Sequence, residues 1–139
     1  MTKTGRSRQS PATLGAFMAD ESAAIPHFDP VAIEKLRNVA GDQGAAFVME
    51  LTQLFLDEST RSLEELAKAC DQGDWKAVAR VAHSLKSSAA TLGLMRLSAA
   101  CTALELDATA STPTPETSRL TAAVFEEFEK AKPTLKGLT

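Results

Sequence analysis

Apolar residues return every three or four positions along most of the chain, with polar residues filling the gaps. That is the helical period, since 3.6 residues per turn bring i, i+3, i+4 and i+7 onto one face. The first stretch to show it, "DPVAIEKLRNVAG", carries its own punctuation: Asp29 as N-cap, Pro30 at the first helical position and Gly41 as terminator. It predicts one short helix. From about Asp42 to Gln72, Phe47, Val48, Leu51, Phe55, Ser62, Leu66 and Cys70 recur at helical steps and predict a second, longer helix of ~42 Å, ended by Gly73.

Asp74 then caps a third helix, "WKAVARVAHSLKSSAATLG", with Gly93 as its left-handed C-terminal cap. A fourth, over about Leu94 to Thr109, sets Leu94, Leu97, Cys101, Leu104 and Ala108 on one face. The loop "ASTPTPE" interrupts the pattern, and Thr114 with Pro115 opens a fifth helix carrying Leu120, Val124, Phe128 and Ala131. Consecutive amphipathic helices with short connections predict an all-α fold: an antiparallel up-down four-helix bundle with an additional short N-terminal helix packed near one end. Residues 29–135 are expected to form the bundle. Residues 1–28, rich in Ser, Thr, Ala and Pro and without sustained periodicity, are expected to be a flexible tail in which "LGAFM" forms at most a short contact helix.

Composition agrees with this class. At 139 residues the chain can bury one core without metals or disulfides, and it is 44% hydrophobic with 5% aromatics and no tyrosine. Net charge is −3, and the first 22 residues hold three of the 15 basic and two of the 18 acidic side chains, leaving 12 against 16 in the rest. An acidic body argues against a general nucleic-acid or anionic-membrane binder, and the longest apolar run is too short to cross a bilayer. Cys70 and Cys101 are far apart at apolar helical positions and read as buried free thiols in a cytoplasmic protein, although the basic start "MTKTGRSRQ" has a faint likeness to a transit peptide.

The candidate chemistry sits on the third helix. With Val78 as zero on a 100° wheel, Val81, Ala82, Leu85, Ala89 and Leu92 fall within about 60° and define the buried stripe, with Trp75 at its edge; His83 falls about 140° away, in the direction of solvent. Around it lie Lys76, Ala79, Arg80, Lys86, Ser87 and Ala90, a strip of small side chains and cations. Small residues clear the approach for another protein, cations hold an anion, and an imidazole beside cations is largely in its neutral, nucleophilic form near neutral pH. A phosphoryl group on the ring would find Lys86 and the Ser87 hydroxyl one turn away. The chain has only two histidines, with His27 in the expected tail, so a metal site is not predicted; a phosphate-binding glycine loop and a Ser-His or Cys-His constellation are absent. Glu105 lies at the edge of the fourth helix's apolar face and reads as a glutamate snorkelling to solvent, with pairing to Lys86 or a hydroxyl as the alternative.

Within this setting "HSLKSSAATLG" resembles the signature of histidine phosphotransfer (HPt) domains of bacterial two-component phosphorelays: His, any residue, an apolar residue, Lys, usually Gly, then small residues and an apolar–Gly pair. His83, Leu85, Lys86, Leu92 and Gly93 match; Ser87 stands where the family most often has glycine, which bears on how closely a partner approaches. The resemblance runs loosely over Asp29 to Lys132. It implies that His83 accepts a phosphoryl group from the aspartate of a receiver domain and passes it to another receiver, without kinase activity of its own, with Lys86 and Ser87 as candidate phosphoryl contacts and Lys76, Ala79, Arg80 and Ala90 as candidate docking residues. It also implies no cofactor of the chain's own, Mg²⁺ being supplied by the receiver. Expected partners are response-regulator receivers and a hybrid sensor kinase, met as a monomer, and the family often places a polar residue near position 105 to steady the site. The competing reading is a helical adaptor that docks receivers or other signalling partners without being phosphorylated; a phosphoacceptor segment of a chemotaxis-type kinase would need dimerisation and ATP-binding regions for which 139 residues have no room.

Overall fold

The computed structural model describes residues 25–110 and 116–139. Five α-helices follow in order: α1 (Pro30–Ala40), α2 (Gly44–Gln72), α3 (Trp75–Thr91), α4 (Met95–Ala108) and α5 (Glu116–Lys136), with a 3₁₀ turn, Gly41–Gln43, between the first two. α2 to α5 form the four-helix bundle and α1 packs against α2. The most extensive packing is between α3 and α4, followed by α4 with α5 and α2 with α3.

Local chemistry sets the helix boundaries. The Asp29 carboxylate accepts from the Val31 N–H at 3.0 Å and Pro30 occupies the first turn, where its missing N–H costs nothing. Gly73 takes a left-handed φ of 68°, which lets the Asp74 N–H reach back to the Ala69 carbonyl at 2.9 Å and stop α2. The Asp74 side chain then accepts from the Ala77 N–H at 3.2 Å and starts α3. At the far end Gly93 has φ 78° and the Leu94 N–H donates to the Ala89 carbonyl at 2.9 Å. Gly93 is also crowded: a Cβ there would stand 2.4 Å from the Asp29 carbonyl oxygen.

That crowding marks where the chain comes into the bundle. The Asp29 N–H donates to the Gly93 carbonyl at 2.8 Å, Phe28 bridges Leu94, the Met95 N–H donates to the His27 carbonyl at 3.1 Å, and Arg96 Nε donates to the Ile25 carbonyl at 2.8 Å. Phe28 also packs against the core. Ile25 to Phe28, assigned to the tail by the sequence pattern, are therefore pinned to the start of α4, where backbone groups of the α3–α4 turn find partners. Residues 1–24, with "LGAFM", and the predicted start of the last helix at Thr114 and Pro115 lie outside the described residues.

The core runs along the bundle axis through Val48, Phe55, Leu66, Val81, Leu104 and Phe128, with Phe55 and Phe128 ring centroids 6.4 Å apart. On α3 and α4 the buried stripes are those of the sequence pattern. On α2 the stripe is turned: Phe47, Leu51, Ser62 and Cys70 are only half-buried, whereas Thr52, Ser59, Leu63 and Ala69 are buried. The two buried hydroxyls are satisfied within their own helix, Thr52 donating to the Val48 carbonyl and Ser59 to that of Phe55, so polar residues enter the core without an orphaned group. No described helix is long and apolar enough to cross a membrane.

Candidate functional site

α3 buries Val78, Val81, Ala82, Leu85 and Ala89 and turns His83 outward, its side chain 62% exposed. Lys76, Ser87 and Ala90 are exposed as the wheel predicts, and Ala79 is half-buried. What the wheel of one helix does not show is what its neighbours bring. Glu105 reaches across from α4: one carboxylate oxygen lies 2.9 Å from His83 Nδ1 and the other 2.9 Å from Lys86 Nζ. Glu105 is thus the pivot of the site, with its side chain 24% exposed, and the reading of it as a free snorkelling residue is replaced by the pairing alternative.

The hydrogen bond from Lys86, then that from His83, holds the Glu105 carboxyl below its ordinary range against the opposing effect of burial. An ionised carboxylate only accepts, so the hydrogen on His83 must be at Nδ1 and the neutral ring carries its free lone pair on Nε2. The Lys86 backbone is fixed as well, its carbonyl accepting from Ser98 of α4 at 3.2 Å. Beneath the pair Cys101 is fully buried and its thiol is pushed up to about 12, chiefly by burial, with Lys86 lowering and Glu105 raising it. That thiol is a packing group, not a nucleophile.

On the opposite flank of His83, Arg80 pairs with Glu65 of α2 at 3.0 Å, both side chains being largely exposed at 64% and 49%. Exposed pairs of this kind contribute ~0–1 kcal/mol. The strip read as cationic is therefore partly balanced, Arg80 and Lys86 each being answered by a carboxylate from an adjacent helix. Nothing in the local sequence around Glu65 marks it; Glu105 had a signal in its position at the edge of the α4 face. Ser87 does stand one turn from His83, but its hydroxyl lies 3.4 Å from the His83 carbonyl, a long contact along the same helix. Among the described residues no cluster of three or more His, Cys, Asp or Glu side chains could hold a metal ion. A cleft of about 190 Å³ lies between α2 and α3, lined by Leu51, Leu54, Phe55, Ser84, Leu85 and Leu92.

A model of the Hpt domain matches residues 50–131. Among solved structures, histidine-containing phosphotransfer protein B (HptB) from Pseudomonas aeruginosa PAO1 superimposes with a TM-score of 0.71 at 26% identity, covering 81% of this chain and 93% of that one. A rice protein described as a histidine-containing phosphotransfer protein gives 0.69 at 19% identity over 90% and 93% of the two chains, a likeness of fold. No curated protein sequence matches the chain. The matched segment spans more than half of the sequence and carries both α3 with His83 and α4 with Glu105, and the chain belongs to the Hpt domain family, a histidine phosphotransfer domain of phosphorelays.

Proposed function

We propose that His83 is the phosphoacceptor of a phosphorelay intermediate, taking its phosphoryl group from the aspartate of one receiver domain and passing it to the aspartate of another. The observation that supports this most directly is the Glu105 carboxylate on Nδ1, which turns Nε2 outward with its lone pair available. In the forward step Nε2 attacks phosphorus, the N–P bond forms as the P–O bond of the aspartyl phosphate breaks, and the electron pair returns to the receiver's carboxylate. The ring gains positive charge as it does so, and Glu105, already hydrogen-bonded to Nδ1–H, stabilises that charge; the reverse step hands phosphorus to the next aspartate.

Lys86 can donate to a phosphoryl oxygen while remaining bonded to Glu105, because an ammonium has three donors. Ser87 offers a hydroxyl in exchange for its long contact with the His83 carbonyl. Lys76, Arg80, Ala79 and Ala90 form the surface on which a receiver docks. The receiver supplies Mg²⁺ and the geometry of transfer, and the chain supplies the nucleophile with no kinase activity of its own.

The test mixes the full chain, or its His83→Gln variant, with receiver domains phosphorylated from acetyl phosphate. Acid-labile, alkali-stable label on the wild type and none on His83→Gln, at equal helicity by circular dichroism, is the expected result. Docking of receivers without any label would favour the adaptor reading.

A further inference from the structure

His83 stands between two flanks of α3. Lys86 and Ala79 lie about 40° to 60° round the axis on one side, Arg80 and Ser87 by the same amount on the other. The first flank faces α4, since Glu105 engages both Lys86 and His83 Nδ1; the second faces α2, since Glu65 engages Arg80. Drawing Nδ1 toward α4 turns the opposite ring edge, with Nε2, away from that carboxylate. Helical side chains also lean toward the N-terminus, so the imidazole overlies the turn that holds Ala79 and Arg80.

A phosphoryl group on Nε2 brings about two negative charges to a site whose two flanking cations are already balanced by carboxylates. Lys86 can add a phosphoryl oxygen without leaving Glu105, but a second charge-paired contact to the phosphoryl group requires a cation to change partner. Lys86 is held in a half-buried pair whose carboxylate is fixed a second time by His83, whereas Arg80 has one hydrogen bond to Glu65 in the open. Arg80 is the easier to release, and its planar fork matches phosphoryl oxygens two at a time.

Resting on the reading of His83 as phosphoacceptor, we infer that Arg80 is a phosphoryl ligand kept in reserve by Glu65: on phosphorylation its guanidinium leaves Glu65 and pairs with the phosphoryl oxygens on Nε2. The α2–α3 ion pair is then present in the unmodified chain and exchanged in the phosphorylated one. Glu65 acts as a positioning residue and competes with the phosphoryl group for the same cation.

The discriminating quantity is the equilibrium constant for phosphoryl transfer between the chain and the receiver that labels it fastest, measured for wild type, Arg80→Ala, Arg80→Lys and Glu65→Gln. A docking contact alters the rate of approach to equilibrium and leaves its position alone. A phosphoryl ligand alters the position. Arg80→Ala is expected to lower the constant roughly fivefold, Arg80→Lys less, and Glu65→Gln to raise it about twofold by removing the competitor. An unchanged constant in Arg80→Ala, or Arg80→Ala and Glu65→Gln moving it in the same direction, overturns the inference and leaves an ordinary surface pair. Absence of label on the wild type itself removes the phosphoacceptor reading and this inference with it, and is seen before any variant is compared.

Discussion

At the scale of single residues, Glu105 does the most with the least. One carboxylate sets which nitrogen of His83 is free, neutralises Lys86 and sits over the buried thiol of Cys101. Glu105→Gln keeps an acceptor for Nδ1–H but loses the charge, and charge-assisted bonds are about twice as strong as neutral ones; phosphorylation of His83 is expected to slow roughly tenfold, read from the label acquired per minute. Because Lys86 is the largest cause of the lowered Glu105 carboxyl, Lys86→Met should raise its titration back toward 4.5, followed by carbon-13 NMR of the side chain. A carboxyl depressed in the folded state favours folding above the ordinary carboxylate range, and that contribution is lost as pH falls through its lowered value. Lys86→Met should therefore flatten this part of the acid slope of the melting temperature.

At the scale of elements, the two left-handed glycines that end α2 and α3 look alike in sequence and differ in consequence. Gly73 has open space where a Cβ would go, so Gly73→Ala bears only the cost of its backbone conformation, about 1 kcal/mol. Gly93 has the same conformational demand and the Asp29 carbonyl in the way, so Gly93→Ala should cost about 3 kcal/mol, with urea unfolding as the measurement. The turned stripe of α2 belongs to this scale as well. A sequence pattern counts Thr52 and Ser59 as polar, but their hydroxyls close onto carbonyls one turn back and present only carbon to the core. α2 also meets α1, α3 and α5, and an arc covered from three sides is wider than one apolar stripe.

At the scale of the whole molecule, the α3–α4 turn is a junction where the incoming chain, the end of α3 and the start of α4 are joined by backbone bonds. Comparing two truncations isolates that junction. A variant lacking residues 1–28 should be less stable than one lacking residues 1–24 by about 2 to 3 kcal/mol in urea unfolding, because only the longer deletion removes Phe28 from the core and the contacts of Ile25 and His27. The charge balance is likewise a property of the assembled bundle. α3 alone carries Lys76, Arg80 and Lys86 without a single acid, and only packing sets Glu65 and Glu105 against it.

The sequence by itself determined the helices, their caps, the all-α class and the outward place of His83, because these depend on periods and end signals within one element, and on residues no more than a few positions apart. It also carried the motif from His83 to Gly93. Only the tertiary structure decided what surrounds that histidine. Glu105 is 22 residues from His83 and Arg80 is 15 from Glu65, so each pairing depends on how adjacent helices are rotated and staggered against each other. That rotation is fixed by the fit of side chains across the whole interface, a sum over many weak contacts that no local pattern contains.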